Sequence, residues 1–91
     1  MKYTIRFSGQ FKKSYKLCKR RGYDMTKLQT VMRILGEKGV LPAEHRPRIL
    51  SGNWAGIWEC HVDPDWLLLW KRYENELTLL LLDTGTHSDV F

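Results

Sequence analysis

The sequence predicts an α+β protein in which a helical hairpin packs on a mostly antiparallel sheet of four or five strands. Three observations support this prediction: an alternating, strand-like opening, a lysine-rich stretch with helical periodicity, and a second half whose apolar residues repeat every two positions. The predicted element order is β-α-α-β-β-β-β. A length of 91 residues gives room for one domain, spanning residues 1–91, of modest stability.

The first 21 residues predict a strand followed by a helix. Residues 2–7 alternate polar with apolar side chains, as a half-buried strand does. The side chains expected to face inward are Tyr3, Ile5 and Phe7. Ser8 can cap a helix over about residues 9–21, and Gly22 is placed to end it. The apolar stripe of this helix consists of Phe11, Tyr15 and Cys18.

A second helix is predicted to complete a helical hairpin. Asp24 can cap it, and either Gly36 or Gly39 can end it. Its apolar stripe consists of Leu28, Val31, Met32 and Leu35. Residues 38–47 contain two prolines and mixed charges, follow neither period and are predicted to form a loop.

The remaining residues predict four strands joined by turns. Residues 48–50 form a short strand that a Ser-Gly-Asn turn connects to the strand over residues 57–62. In that strand one face carries Trp58, Cys60 and Val62, and the other carries Ile57, Glu59 and His61. Residues 66–73 form a long apolar strand. Residues 77–82 are so uniformly apolar that a central strand is expected.

Antiparallel connections bring distant titratable residues to one end of this sheet. If the strand ending at His61 runs up, the strand starting at Trp66 runs down, and the next strand runs up again. His61, Asp65 and residues 83–87 should therefore meet at one rim. Two histidines and a carboxylate, without a serine or cysteine placed as a nucleophile, indicate general acid–base chemistry.

RNA strand cleavage is a reaction with these requirements, because it needs a base, an acid and a cation beside the phosphate. The chain has 15 lysines and arginines against 10 acidic residues, a net charge of +5, and its basic residues crowd residues 12–21. A polyanionic or acidic partner is therefore expected. A solvated helix face explains the same charge run equally well.

Two other functions stay open on the residues alone. A metal site could use His61, Asp63, Asp65 and His87. These residues show no ligand-spacing signature, so no metal or cofactor is predicted. Alternatively, a basic module could bind RNA or an acidic peptide without catalysis. Cys18 and Cys60 are expected to be buried, and the chain, which has no signal-peptide core or membrane-length span, is expected to be cytoplasmic.

Five stretches of the chain resemble the YafQ toxins of the RelE/ParE superfamily. Three are residues 61–69 (HVDPDWLLL), the turn at residues 50–54 (LSGNW) and the ending at residues 84–91 (TGTHSDVF). The opening residues 3–13 and the helical residues 24–28 also fit. The resemblance implies a RelE-like microbial RNase fold. It further implies a ribosome-dependent toxin that cuts translated mRNA in the ribosomal A site, leaving a 2′,3′-cyclic phosphate or a 3′-phosphate and a 5′-hydroxyl.

The same resemblance implies partners. A DinJ/RelB-type antitoxin would hold the toxin inactive, and operator DNA would be bound only through that antitoxin. A gyrase inhibitor of the ParE type would share the fold, but it is not expected to carry the histidine motifs. No membrane partner is expected.

The resemblance also assigns residues to roles. His61, Asp65 and His87 match catalytic positions, with His87 as the general acid and His61 or Asp65 as the base or the group that orients it. Trp66 and Phe91 match positions that shape the site or contact the substrate. Further residues expected to help bind RNA are Arg46, Lys12, Lys13 and Lys16.

Two positions depart from the family pattern. Arg48, six residues before Trp54, stands where a histidine is usual, and Asp83, four residues before His87, stands where an arginine is usual. Arg48 could pair with Asp83 or supply the cation that stabilises the phosphate. In the second case an anionic Asp83 would weaken the nuclease unless Arg48, Arg46 or His45 compensates. A weakened or inactive module that still binds antitoxin and ribosome is therefore the alternative function.

Overall fold

The computed structural model describes residues 2–91 and has the predicted element order. The five strands are β1 (Thr4–Phe7), β2 (Arg48–Ile49), β3 (Trp58–Asp63), β4 (Trp66–Tyr73) and β5 (Thr78–Gly85). The helices are α1 (Gly9–Arg20), α2 (Met25–Lys38) and a short α3 (His87–Val90), which was not predicted. The sheet order is β1-β5-β4-β3-β2, and every pairing is antiparallel except that of β1 with β5. The predicted α+β fold class is confirmed.

The two long helices have the predicted ends. The Ser8 hydroxyl accepts a hydrogen bond from the backbone N–H of Phe11 at 2.9 Å, and Asp24 caps α2 in the same way through Thr26. Gly39 ends α2 with a φ of 73°, a left-handed conformation that glycine adopts at little cost. An ideal Cβ at Gly39 would lie 2.2 Å from the Tyr3 ring, so a side chain there would also clash.

The main core lies between the helical hairpin and one face of the sheet. It contains buried residues from both helices and the interior strands, among them Phe11, Leu28, Leu35, Cys60, Leu68, Trp70 and Leu79. A smaller cluster on the opposite face consists of Leu67, Leu69 and Val90. Because Val90 belongs to α3, this second cluster attaches α3 to the sheet.

Phe7 faces α1 as predicted, but it is not buried. Tyr3 is buried, but Phe7 is 43% exposed, because it ends a four-residue strand at the edge of the sheet. Its ring stacks on Phe11 at a centroid distance of 5.5 Å. An apolar surface therefore remains beside α1.

Two register shifts occur near the end of the sheet where β3 and β5 terminate. One separates His61 from Asp63 in β3, and the other lies in β5, where Leu81 pairs with Trp70 but Asp83 pairs with Leu69. An extra residue in one strand changes the direction of the side chains that follow it. The side chains after each shift therefore do not follow a simple two-residue alternation.

Within residues 2–91 there is no helix with the length and apolar composition needed to cross a membrane.

Candidate active site

The structure brings His61, Asp65 and His87 together at one rim. The centroids of the two imidazole rings are 6.4 Å apart. Asp65 lies beside His87: its Oδ1 is 3.6 Å from the ring Nδ1 and accepts a hydrogen bond from the His87 backbone N–H at 3.3 Å. The three residues come from the end of β3, the following turn and the start of α3.

His61 is held in an orientation that leaves one ring nitrogen available. Its Nδ1 lies 3.1 Å from the backbone oxygen of Pro64. A carbonyl oxygen only accepts hydrogen bonds, so Nδ1 is the protonated nitrogen in this contact. In the neutral ring Nε2 is then unprotonated, and a group in this state can accept a proton from a substrate hydroxyl.

His87 is the first residue of α3 and is largely exposed, with 57% of its side chain accessible. A protonated ring can form an ion pair with Asp65 through Nδ1, which leaves Nε2–H to donate. The Phe91 ring lies 5.9 Å from the His87 ring and 4.9 Å from that of Trp54, measured between centroids. His87 is therefore flanked by a carboxylate and by two aromatic rings.

Arg48 supplies a cation on the same side of the molecule as His87. The two residues line a cavity of about 360 Å³, together with Trp54 and Phe91. Arg48 Nε donates a 3.0 Å hydrogen bond to Oε1 of Glu59, its cross-strand neighbour. Glu59 is 1% exposed, and within residues 2–91 the Nη atoms of Arg48 have no hydrogen-bonded partner. A buried carboxylate thus anchors the guanidinium while its outer nitrogens stay available for a phosphate.

Asp83 does not pair with Arg48, so the first of the two sequence-based alternatives is wrong. Its Oδ1 accepts hydrogen bonds from the Ser14 hydroxyl and from the backbone N–H of Thr84. Ser14 belongs to α1, so the Asp83 carboxylate is engaged with that helix and not with Arg48. Asp83 is also absent from the residues that line the Arg48 and His87 cavity.

His45 and Arg46 lie beside His61 on its other side. They line a second cavity of about 300 Å³ together with His61. The His45 ring nitrogen Nδ1 is 3.1 Å from the His61 backbone oxygen. Both basic side chains are therefore near the rim, although they do not share the cavity that contains Arg48 and His87.

Trp66 lies beneath the site and is not exposed to a substrate. Its side chain is buried, its Nε1 donates a 2.9 Å hydrogen bond to Thr84 Oγ1, and its ring packs edge-on against Tyr23 at 4.9 Å. Trp66 therefore does not contact a substrate as expected; it packs beneath the rim and supports it. Phe91, at 47% exposure, is accessible.

The lysines of α1 are not brought to the histidines. Lys12 and Lys16 line an apolar groove with Phe7, Phe11, Tyr15 and Met32. The three lysines, Lys12, Lys13 and Lys16, precede Arg21 by roughly one to three helical turns, and it is the Arg21 end of α1 that contacts α3. A direct role of these lysines at the reacting groups is not supported by their placement.

Sequence reasoning missed Trp54 and Glu59 as site residues. Glu59 could have been found from the hairpin register, because a short turn at residues 51–56 places it opposite Arg48. For Trp54 the sequence offered a weaker indication, because this residue belongs to the turn at residues 50–54 that resembles the family. Neither cysteine offers a nucleophile, since burial raises the pKa of the Cys18 and Cys60 thiols.

Comparisons with known proteins show which proteins this chain resembles. A family model described as the bacterial toxin of a type II toxin–antitoxin system, YafQ, matches residues 3–91. The mRNA interferase toxin YafQ of Escherichia coli strain K12 is 39% identical over 88 residues, which cover 96% of this chain and 94% of that protein. The crystal structure of YafQ from E. coli strain BL21(DE3) matches with a TM-score of 0.90 and 37% identity, over 98% of each chain.

A second solved structure adds an assembly. The E. coli DinJ–YafQ complex contains a chain that matches with a TM-score of 0.87 and 38% identity, again over 98% of each chain. The resemblance noted from the sequence motifs is thereby confirmed. Because the family model covers nearly all the described residues, the chain belongs to the YafQ family of bacterial toxins from type II toxin–antitoxin systems.

Proposed function

We propose that the chain is a ribosome-dependent endoribonuclease that cleaves translated mRNA by general acid–base catalysis, without a metal ion. The observation that carries this proposal is the pair of imidazoles 6.4 Å apart, one with an available Nε2 and the other beside a carboxylate. The mRNA interferase activity named for the E. coli relative supports the same substrate class.

The proposed reaction is an attack of the ribose 2′-oxygen on the adjacent phosphorus. His61 Nε2 takes the 2′-hydroxyl proton, the new P–O bond forms, and the P–O5′ bond breaks. His87 Nε2 gives its proton to the leaving 5′-oxygen. The products are a 2′,3′-cyclic phosphate and a 5′-hydroxyl, and the enzyme ends with His61 protonated and His87 neutral. Proton exchange with water restores both rings.

Arg48 and Asp65 assist without exchanging protons with the substrate. Arg48 is held through Nε by Glu59 and presents its Nη atoms to the charged phosphorane. Asp65 orients the His87 ring through its contacts with Nδ1 and with the backbone N–H of His87. The exposed rings of Trp54 and Phe91 give a surface on which a base can stack.

An antitoxin of the DinJ/RelB type is the proposed protein partner, as the E. coli DinJ–YafQ complex suggests. The groove beside α1 combines the exposed Phe7 with Lys12 and Lys16. An acidic, amphipathic segment would match both its apolar floor and its charge.

The proposal is tested in a reconstituted translation system with one defined mRNA. Wild-type protein should cleave only ribosome-bound mRNA and leave the cyclic phosphate and 5′-hydroxyl ends. A chelator selective for transition metals, with Mg²⁺ kept for the ribosome, should not change the rate. His87→Ala should lower the rate by about two to four orders of magnitude. Cleavage by His87→Ala at the wild-type rate would contradict the proposed acid.

A second candidate, raised by the Asp83 that replaces the family arginine in the sequence, is a weak or inactive nuclease. Asp83→Arg tests it: a marked gain in the cleavage rate would show that the carboxylate limits the chemistry, and an unchanged rate would show that it does not. Induced expression in a bacterium, with His87→Ala as the control, separates the two functions. Equal growth with both proteins would favour the inactive module.

A further inference from the structure

Asp89 connects the segment that carries His87 to the basic helix α1. Its carboxylate accepts two hydrogen bonds from Arg21, Nη1 to Oδ2 at 2.6 Å and Nη2 to Oδ1 at 3.3 Å. Oδ2 also accepts the backbone N–H of Thr86 at 2.9 Å, which completes a capping box at the start of α3. One side chain therefore both closes the first turn of α3 and attaches that turn to α1.

Helix α3 needs such restraints because it has little stability of its own. It contains four residues, far fewer than an isolated helix requires. Val90 is its one buried residue, whereas the side chains of His87 and Phe91 are largely exposed. Apolar burial alone thus holds only one of the three side chains in place.

The backbone next to α3 is shaped to admit the Asp89 carboxylate. Gly85 has a φ of 146°, in a region that favours glycine, and an ideal Cβ there would lie 2.8 Å from Asp89 Cβ and Oδ2. A larger residue at this position would push the carboxylate away from Thr86 and Arg21. The position of the Asp89 carboxylate therefore depends on Gly85 at the end of β5 as well as on Arg21 at the end of α1.

We propose that Arg21 and Asp89 are positioning residues that hold His87 and Phe91 at the rim. The catalytic part of this inference rests on the proposed role of His87 as the general acid. Without the Arg21 contact, α3 opens more often, and the His87 ring is misplaced in a larger fraction of molecules. Since Arg48 and the ribosome still bind the mRNA, kcat should fall while KM changes little.

Arg21→Ala is the test variant, and Arg20→Ala is its matched control. Arg20 is the preceding, exposed arginine and forms no ion pair with any residue of the described chain, so both variants lower the net charge equally. In free Arg21→Ala protein, amide hydrogen exchange at residues 88–91 should accelerate, while exchange in β4 and β5 stays at the wild-type rate. Its kcat should fall about 10- to 100-fold. Arg20→Ala should match the wild type in both measurements.

Arg21→Lys provides a conservative rescue. A lysine keeps the charge but makes one point contact instead of two parallel hydrogen bonds, so exchange and kcat should both lie between those of the wild type and Arg21→Ala. Asp89→Asn, which keeps an oxygen for the cap and removes the charge, should resemble Arg21→Ala.

Wild-type exchange at residues 88–91 in Arg21→Ala would overturn the proposal, and so would an equal acceleration across β4 and β5, which would indicate a purely global role. An equal fall in kcat in Arg20→Ala and Arg21→Ala would also overturn it, because the loss would then be an effect of net charge alone. If the wild type itself fails to cleave mRNA, the proposed function fails, but the exchange measurement still decides whether Arg21 and Asp89 hold α3.

Discussion

At the residue scale, the position of Arg48 matters more than its charge alone. Its side chain is two-thirds exposed, yet Glu59 beneath it is almost fully buried. Loss of Arg48 would leave this buried charge without a counter-ion, so the pair also contributes to stability. The same contact orients the outer nitrogens of Arg48 toward the cavity that it shares with His87.

Arg48→Ala should lower the rate of mRNA cleavage by about 100- to 1000-fold, because it removes the guanidinium that lines this cavity beside His87. Arg33→Ala is the control: Arg33 is an exposed cation on α2 with an acidic partner, Glu37, at 4.0 Å. The measurement is the single-turnover cleavage rate on programmed ribosomes. Equal losses in the two variants would assign the effect to net charge and remove Arg48 from the site.

At the scale of elements, helix ends determine how the hairpin and α3 attach to the sheet. Gly39 ends α2 with a positive φ directly against Tyr3, whereas Gly22, between α1 and α2, has a φ of 82° and open space around it. A side chain at Gly22 would therefore meet only backbone strain, whereas a side chain at Gly39 would meet both backbone strain and a clash with Tyr3.

Gly22→Ala should destabilise the protein by about 1–2 kcal/mol, the cost of a left-handed conformation for an alanine. Gly39→Ala should cost roughly 1–3 kcal/mol more, since the added Cβ must displace the Tyr3 ring. Urea unfolding at neutral pH measures the free energy of unfolding of both variants. The same loss in both would mean that Tyr3 moves aside freely.

Helix α3 should also give the protein a defined acid sensitivity. Hydrogen bonds from Arg21, and then from Thr86, lower the pKa of Asp89 to about 2 from the ordinary value of 3.8. A lowered folded-state pKa contributes stability that is present above pH 3.8 and is lost as the pH falls through about 2. The wild type should therefore exceed Asp89→Asn in free energy of unfolding at pH 7, and the difference should shrink between pH 4 and pH 2. A difference independent of pH would contradict this account.

The elements that the sequence predicted best are those governed by local signals. Ser8, Asp24 and Gly39 bound the helices where capping chemistry predicted, and the strand ladder followed the two-residue period. Helix α3 was missed because four residues have no periodicity to read, and its stability comes from Asp89 and from packing on β4. Asp83 was misplaced because its partner, Ser14, lies 69 positions away on α1, and a contact over that distance has no signal in the strand itself.

At the scale of the whole molecule, the sheet order explains why a small chain can assemble this rim. Strands β3, β4 and β5 are neighbours, so the turn after β3 and the end of β5 lie at the same end of the sheet. The proposed antitoxin groove lies beside the first half of α1, whereas the second half reaches α3 through Arg21. One helix thus connects the proposed inhibitor surface to the proposed catalytic segment.

The division of proton transfers between His61 and His87 is the central claim, and an mRNA with one sulfur in place of the bridging 5′-oxygen tests it most directly. A thiolate leaves without a proton, so this substrate needs a base but no general acid. On ribosomes programmed with it, His87→Ala should cleave at nearly the wild-type rate, while His61→Ala should stay as slow as on normal mRNA. Rescue of His61→Ala, or no rescue of His87→Ala, would contradict the assignment of His61 as base and His87 as acid.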